Sequence, residues 1–238
     1  MDNFNNENEN QTYTEVDVLN QNSVMPGDQI SSRKYNLLIG LTLLWGFALN
    51  MLLVATVPVT FFSGLNMVIF FIAYFILCIC GKIITYKSDN PWISFLGYNM
   101  VVIPFGMTLK IITYGYGENL ITFAVGITGL VTLLMMALGI AFPKVFQTIG
   151  RALGITLLVT VIIEIVSSFF FVIPSLSTVI DYLVVLIFMG YIGYDWGRAN
   201  ACPKTVDNAI DNALEVYMDI INLFIRILRI LARNSRNN

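Results

Sequence analysis

The sequence predicts an all-α integral membrane protein, a bundle of seven transmembrane helices. Composition is the first reason, because 57% of the 238 residues are hydrophobic and only 12% are charged, whereas soluble domains carry about 25% charged residues. The second reason is the recurrence of apolar stretches of roughly 20 residues, the length that crosses a bilayer as a helix. Barrel strands alternate over about 10 residues, so a barrel is not indicated.

The chain begins with an acidic, Asn-rich stretch. Its first 32 residues contain no Lys or Arg, and the acids are Asp2, Glu7, Glu9, Glu15, Asp17 and Asp28. Such a stretch has too few apolar residues to offset the entropy lost on ordering. We therefore expect residues 1–33 to be a disordered cytoplasmic tail, 34–233 to form the transmembrane domain, and 234–238 to be a short polar tail. Nothing in the tail resembles a signal peptide, so the first apolar stretch should be retained as a span.

Seven apolar stretches follow, separated by short segments rich in Pro, Gly, Asp and Asn, which are typical of tight connections between helices. They run approximately over 35–57, 61–85, 93–113, 119–142, 149–173, 178–197 and 209–232. At 1.5 Å per residue, each is long enough to cross the ~30 Å hydrocarbon layer.

The distribution of Lys and Arg predicts the orientation of the spans. If the N-terminus is cytoplasmic, eight basic residues lie on the cytoplasmic side: Arg33, Lys34, Lys82, Lys87, Lys144, Arg151, Arg198 and Lys204. The loops after the first, third and fifth stretches carry no Lys or Arg. The seventh stretch breaks this pattern, since its four arginines would lie outside. It therefore either crosses the membrane against the rule or enters and returns.

Polar residues spaced three or four apart form one stripe along the seventh stretch. The stripe contains Asn208, Asp211, Glu215, Asp219, Asn222, Arg226, Arg229 and Arg233. On a translocon-based scale the apolar residues of 216–232 contribute roughly −5 kcal/mol to insertion, whereas Asp219, Arg226 and Arg229 cost about +9 kcal/mol. The other spans must therefore surround this helix, with its stripe facing the bundle interior. The alternative is an amphipathic helix lying on the membrane surface.

Two aspartates form the second candidate feature. Asp195 ends the sixth stretch, within Gly-Tyr-Asp-Trp-Gly, and Asp219 lies on the seventh. If the chain turns near Asp207, each is twelve residues from the turn, so antiparallel helices place them at the same depth, ~18 Å from it. The glycines flanking Tyr194-Asp195-Trp196 let another helix approach closely. Two dehydrated carboxyls in contact cannot both ionise cheaply, so we expect the pair to titrate as a unit. Alternatively, Asp195 only caps its helix in contact with water.

The residues around this pair resemble the transmembrane Bax inhibitor motif family, in a bacterial-type member. The resemblance is carried by Tyr-Asp-Trp at 194–196, by Val-Tyr-Met-Asp-Ile-Ile-Asn-Leu-Phe-Ile-Arg-Ile-Leu at 216–228, and by the 24-residue separation of the aspartates. It implies a seven-helix bundle with the seventh helix central, and a calcium leak towards the cytoplasm controlled by Asp195 and Asp219 as a pH sensor. The same two aspartates are the candidate calcium contacts, and the expected location is the bacterial cytoplasmic membrane.

The second stretch departs from the family pattern. Calcium-leak relatives carry an acid and an arginine on the second span, whereas residues 65–77 contain neither and have only Asn66 as a polar residue. Lys110, Glu164 and Arg226, all expected in the outer half of the bilayer, are the candidate substitutes. Glu164 is expected to face inward and to pair with a cation; the alternative is a protonated Glu164 or one bonded by neighbouring serines. The remaining candidate pore or ion-pair residues are Glu215 and Asn222.

Several other functions are excluded or disfavoured. The absence of His removes Ser/His and Cys/His catalytic pairs, and the three cysteines form no metal-site spacing. An aspartyl protease would need Gly-x-Gly-Asp around the second aspartate, and a retinal protein would need a lysine in the last span; both features are lacking. No motif indicates a nucleic-acid partner or a cofactor. We expect a non-enzymatic protein whose partners are the lipid bilayer, calcium and protons. A non-transporting regulator that binds another membrane protein remains the alternative.

Overall fold

A computed structural model describes residues 29–170 and 174–237. Within these ranges every regular secondary-structure element is a helix. The eight helices of this described part are α1 Ser32–Thr56, α2 Thr60–Ser63, α3 Met67–Lys87, α4 Pro91–Thr113, α5 Glu118–Ala141, α6 Pro143–Phe170, α7 Pro174–Ala201 and α8 Val206–Asn237. Six of them, α1 and α3 to α7, are long and apolar enough to cross a membrane. The prediction of an all-α, multi-pass membrane protein is thereby confirmed. Most of the predicted acidic tail, and Asn238, lie outside the described residues.

Local sequence signals explain where helices start. The side chain of Asn66 accepts hydrogen bonds from the backbone N–H groups of Val68 (2.9 Å) and Ile69 (3.4 Å), so it caps α3. Asn90 caps α4 in the same way and is followed by a proline at the first helical position. Both arrangements satisfy or remove N–H groups that have no partner within the helix. Asn66 is therefore a helix cap, and it does not replace the charged residues missing from the second stretch.

Two predicted boundaries were wrong for identifiable reasons. The second stretch was expected to begin at residue 61, but Thr60–Ser63 form the separate short helix α2, and the Asn66 cap starts a new helix at Met67. The fifth stretch was expected to begin at 149, whereas α6 starts at Pro143. Proline lacks an N–H group and is compatible with the first turn, so it starts this helix rather than interrupting it. The turn before α5 contains Gly115 with φ +88°, in the left-handed region that favours glycine.

The packing is centred on α8. This helix contacts α1, α3, α4, α5 and α7, while α6 packs mainly on α7 and α3 mainly on α4. Large apolar side chains of α3 and α6 are exposed, among them Val68, Ile69, Ile72, Ile155 and Leu158. An exposed apolar surface of this extent requires lipid around it. The predicted central position of the seventh long helix therefore agrees with the observed packing.

Close helix contacts place α7 against its neighbours near Asp195. A Cβ atom on Gly139 of α5 would collide with the carbonyl oxygen of Gly193, and a Cβ on Gly197 would lie 3.3 Å from the carbonyl oxygen of Gly139. The glycines flanking Asp195 therefore let the backbones of α5 and α7 touch, as the small-residue spacing predicted. This contact fixes the depth of Asp195 in the bundle.

A polar contact in the middle of the bundle links α1 to α8. Nδ2 of Asn50 donates a hydrogen bond to Oη of Tyr217 at 2.6 Å, and Tyr98 of α4 donates to the carbonyl oxygen of Thr42 at 2.8 Å. Tyr98 and Tyr217 also touch edge to face, with ring centroids 5.7 Å apart. These buried contacts orient α8, so that its polar stripe faces α3, α6 and α7.

Candidate functional site

The polar stripe of α8 is covered by other helices. Asn208, Asp211 and Asp219 of the stripe are each less than a tenth exposed, and the apolar face of the same helix is equally buried. A helix lying on the membrane surface would leave its polar face in water, so that interpretation is wrong. Apart from Asp211, the charged side chains of the stripe belong to two groups. We call the end of the bundle that contains the connection between α7 and α8 the inner end, and the opposite end the outer end.

The inner cluster consists of Lys82, Tyr86, Asp195, Arg198, Glu215 and Asp219. Asp195 on α7 and Asp219 on α8 are 5% and 7% exposed, and their carboxyl groups are in hydrogen-bonding contact. Arg198, one turn along α7, forms an ion pair with Asp195, with Nη2 3.3 Å from Oδ1. Oδ2 of Asp219 has no hydrogen-bond partner among the described residues. The structure thus brings together the two aspartates that the sequence singled out.

Glu215 lies one turn before Asp219 and is held by α3. Nζ of Lys82 is 2.9 Å from Oε1 of Glu215, and the hydroxyl of Tyr86 donates a hydrogen bond to the same carboxylate. Lys82 is 46% exposed at its side chain, whereas Glu215 is 14% exposed. The second long helix therefore does carry a cation that reaches α8. This cation, Lys82, lies at the inner end of the helix, beyond residues 65–77.

Asp195 and Asp219 are also the predicted calcium contacts. In the part of the chain that the structure describes, no three acidic or thiol side chains converge in a way that could hold a metal ion. Calcium takes six to eight oxygen ligands, and the pair with Asp195 and Asp219 supplies at most four carboxylate oxygens.

The outer cluster consists of Glu164, Asp181, Arg226, Arg229 and Arg233. Arg226 binds Glu164 through both guanidinium nitrogens, at 2.8 Å to Oε1 and 2.6 Å to Oε2. Such two-pronged pairs are stronger and more directional than single hydrogen bonds. The expectation that Glu164 pairs with a cation thus agrees with the geometry. Ser167, the alternative partner, donates instead to the backbone carbonyl of Glu164 at 3.0 Å.

Asp181 is the most buried member of the outer cluster, with no exposed surface. Its Oδ1 accepts from Arg226 at 2.9 Å and from Arg229 at 3.1 Å, and its Oδ2 accepts from Arg233 at 2.9 Å. One carboxylate therefore binds three guanidinium groups from successive turns of α8. This satisfies arginines that would be costly in lipid.

Two other predicted residues lie outside these clusters. Nζ of Lys110 donates to the carbonyl oxygen of Val54 at 2.7 Å, so it ties α4 to α1 and does not contact Glu164. Asn222 lies between the inner and the outer cluster, half-buried, and donates to the carbonyl oxygen of Met218 at 2.8 Å. The structure thus removes Lys110 from the ion-pair set and leaves Asn222 on the stripe without a bond to another helix.

The sequence analysis missed Asp181 and the contacts of Lys82 and Tyr86 with Glu215. A signal for Asp181 was present: like Asp195 and Asp219, Asp181 and Arg233 are equidistant from Asp207, and the two pairs are contacts in one antiparallel register. The observed connection between α7 and α8 covers residues 202–205, slightly before the predicted turn, but the pairing is unchanged. The contacts of Lys82 and Tyr86 had no comparable signal, because they depend on how α3 packs against a helix distant in sequence.

Comparisons with known proteins agree with this architecture. A sequence model of a family described as "Inhibitor of apoptosis-promoting Bax1" matches residues 28–237. A protein of Helicobacter pylori, described as uncharacterized, is 32% identical over 108 residues, covering 45% of this chain and 46% of the relative. A "BI1-like protein" of Arabidopsis thaliana is 36% identical over 93 residues, covering 39% and 36%. An uncharacterized membrane protein of Streptococcus pyogenes is 29% identical over 138 residues, covering 55% and 59%. The chain spans about half the length of the curated relatives it matches.

Proposed function

Because the chain belongs to the family of inhibitors of apoptosis-promoting Bax1, we propose that it is a pH-sensitive calcium leak of the bacterial cytoplasmic membrane, without enzymatic activity. The gate in this proposal is the pair formed by Asp195 and Asp219. One observation carries it: two buried carboxyl groups from neighbouring helices touch each other, and an arginine contacts one of them. Two carboxyls in such contact need a proton between them.

The shared proton has a definite effect on charge balance. The inner cluster contains two cations, Lys82 and Arg198, and three acids, so it is neutral when one proton is bound. Asp195 is the member of the pair that has a cationic partner, so it is the one that stays charged while Asp219 donates the proton. The two carboxyls then titrate as one unit beside Arg198, which stays charged.

Acid should open this gate. When Asp195 gains a proton as well, it no longer attracts Arg198, and the link between α7 and the pair is lost. The other charged or titratable groups facing the pair are Tyr191 on α7, and Lys82, Tyr86 and Glu215 from α3 and α8. An ordinary tyrosine titrates far above the range from pH 5 to 8. The response in this range therefore comes from the carboxyls.

The proposed topology has seven crossings with a cytoplasmic N-terminus. In this arrangement α8 crosses inside a shell formed by the six apolar helices, so its charges meet protein rather than lipid. The inner end is then cytoplasmic, and the stripe runs from acids at the inner end to arginines at the outer end. Calcium is the transported ion here, not a resident cofactor, and protons are the regulatory ligand.

Calcium flux into liposomes tests the proposal. The purified protein is reconstituted, and flux is measured from pH 5 to 8 for the native chain, Asp195→Asn and Asp219→Asn. We expect native flux to rise as the pH falls. Asp195→Asn should leak at every pH because Arg198 has lost its charged partner. Asp219→Asn should keep the low flux at neutral pH, because its amide can donate to Asp195 in place of the shared proton, but its flux should rise at a different pH from that of the native chain, because Asp195 then titrates without a second carboxyl.

The exposed acid Asp89 offers a matched control, since Asp89→Asn changes the same chemical group outside the cluster. Its flux should follow the native pH profile. Native and variant proteins must elute as single species before reconstitution. A pH dependence that survives in Asp195→Asn would exclude the pair as the sensor, and no flux from folded protein at any pH would exclude the leak.

A non-transporting regulator that binds another membrane protein is the second candidate. The observation in its favour is the outer cluster, whose arginines are bound to Asp181 and Glu164 and tie α6, α7 and α8 together. A protein that never leaves this state would not conduct. Absence of flux together with recovery of a stable membrane-protein partner would establish this alternative.

A further inference from the structure

We propose that Asp181 positions Arg226, Arg229 and Arg233 as a cation barrier that closes the outer half of the bundle. The proposal rests on the leak described above, because it names the second gate that a cation must pass. Asp181 has no role in the sequence pattern that carries the family resemblance. It is the only member of the outer cluster that contacts all three arginines.

The geometry explains why one carboxylate can do this. Arg226, Arg229 and Arg233 lie on successive turns of α8, and Asp181 on α7 faces all three with both of its oxygens occupied. Glu164 adds a second carboxylate from α6, through both nitrogens of Arg226. The cluster therefore ties α6, α7 and α8 together at the outer end.

The cluster is not neutral. It contains three arginines, which stay charged at every physiological pH, and two acids, so it has a net positive charge of one when both acids are ionised. A cation that leaves Asp219 along the stripe passes Asn222 and then meets Arg226, which is largely shielded from solvent. Repulsion between like charges is strong where water is scarce. The inner cluster attracts cations and the outer cluster repels them, so the two ends of the stripe have opposite effects.

A purely structural role would require only that the arginines be neutralised for insertion. The two roles differ in how easily a cation reaches the space between the inner and the outer cluster. Asn222 lies in this space, so a probe at position 222 measures that access. Its side chain bonds only to its own helix, so Asn222→Cys is a mild change. The native cysteines Cys78, Cys80 and Cys202 are replaced by Ala so that position 222 carries the only thiol.

The experiment compares two membrane-impermeant thiol reagents of similar size, one cationic and one anionic, added from the outer side of proteoliposomes. With the cluster intact we expect slow labelling at 222, slowest for the cationic reagent. Arg226→Gln should raise labelling by the cationic reagent on the order of tenfold, and by less for the anionic one. Asp181→Asn releases the three arginines but adds to the net positive charge, so it should raise labelling by the anionic reagent more than by the cationic one. Lys110→Gln is the control, because it removes a partly buried cation that bonds only to Val54.

Each outcome decides the proposal. Rapid cationic labelling with the cluster intact overturns the barrier, as does an equal gain for both reagents, which would indicate a merely steric plug. Unchanged labelling in folded Arg226→Gln also overturns it. Labelling needs no ion flux, so the barrier can be established even if the calcium leak fails, and it can fail while the leak stands. If Asp181→Asn does not fold, Arg226→Gln with Glu164 and Asp181 intact supplies the test.

Discussion

The inner and outer clusters both pair carboxylates with cations along α8, yet they differ in how completely their polar atoms are bonded. In the outer cluster both oxygens of Glu164 and both of Asp181 accept from guanidinium groups at 2.6–3.1 Å. In the inner cluster the ion pair between Arg198 and Asp195 is longer, at 3.3 Å, and one oxygen of Asp219 has no partner among the described residues. The outer cluster is suited to hold helices together, and the inner cluster to change.

The two clusters also differ in how their charges respond to pH. Arginine does not lose its proton in proteins, so the outer arginines keep their charge over the whole physiological range. Two carboxyls in contact share a proton and exchange it as the pH changes. A fall in pH should therefore weaken the inner cluster first. The comparison predicts that charge changes at the outer end cost stability, whereas changes at the inner end alter regulation.

The largest expected effect is at Asp181. Asp181→Asn removes the charge that three arginines share in a site with no solvent exposure, and breaking a buried ion pair costs about 3–5 kcal/mol. The measurement is the thermal unfolding midpoint in detergent, with the exposed Asp89→Asn as control. A midpoint for Asp181→Asn within the error of the control would show that the outer cluster does not hold the bundle together.

Tyr86→Phe should have an intermediate effect. It deletes one hydroxyl that donates to the carboxylate of Glu215, and a hydrogen bond to a charged group contributes about 1.5–3 kcal/mol. The same unfolding assay should give a smaller shift than for Asp181→Asn. If Tyr86→Phe were as destabilising as the change at Asp181, the two clusters would not differ in their structural role.

Lys82→Gln should have the smallest effect on stability. Its side chain is 46% exposed, so water screens its ion pair with Glu215, and such pairs contribute about 0.2–1 kcal/mol. We expect a nearly native unfolding midpoint but an altered pH profile of flux, because the inner cluster loses one of its two cations. A native pH profile in this variant would show that Lys82 has no part in the sensor.

Most of the fold could be predicted from the sequence because lipid imposes a simple rule: long apolar stretches become helices. The meeting of Asp195 and Asp219 was also predicted, from an antiparallel register in which both lie equally far from Asp207, although the observed connection at residues 202–205 is not centred there. Asp181 and Arg233 follow that register too, but the sequence analysis did not apply it to them. The contacts of Lys82 and Tyr86 with Glu215 were not predictable, because packing between helices that are distant in sequence produces no regular spacing of residues. Lys110 was misassigned for the same reason.

The proposed gate depends on a proton shared by Asp195 and Asp219, and infrared difference spectroscopy detects this proton most directly. Spectra of the native protein at neutral pH are compared with those of Asp219→Asn, Asp195→Asn and the control Asp89→Asn. We expect the native protein to show a protonated carboxyl band that both variants of the pair lose and the control retains, with a second such band appearing on acidification of the native protein. Identical carboxyl bands in all four proteins at neutral pH would contradict the shared proton and the gate built on it.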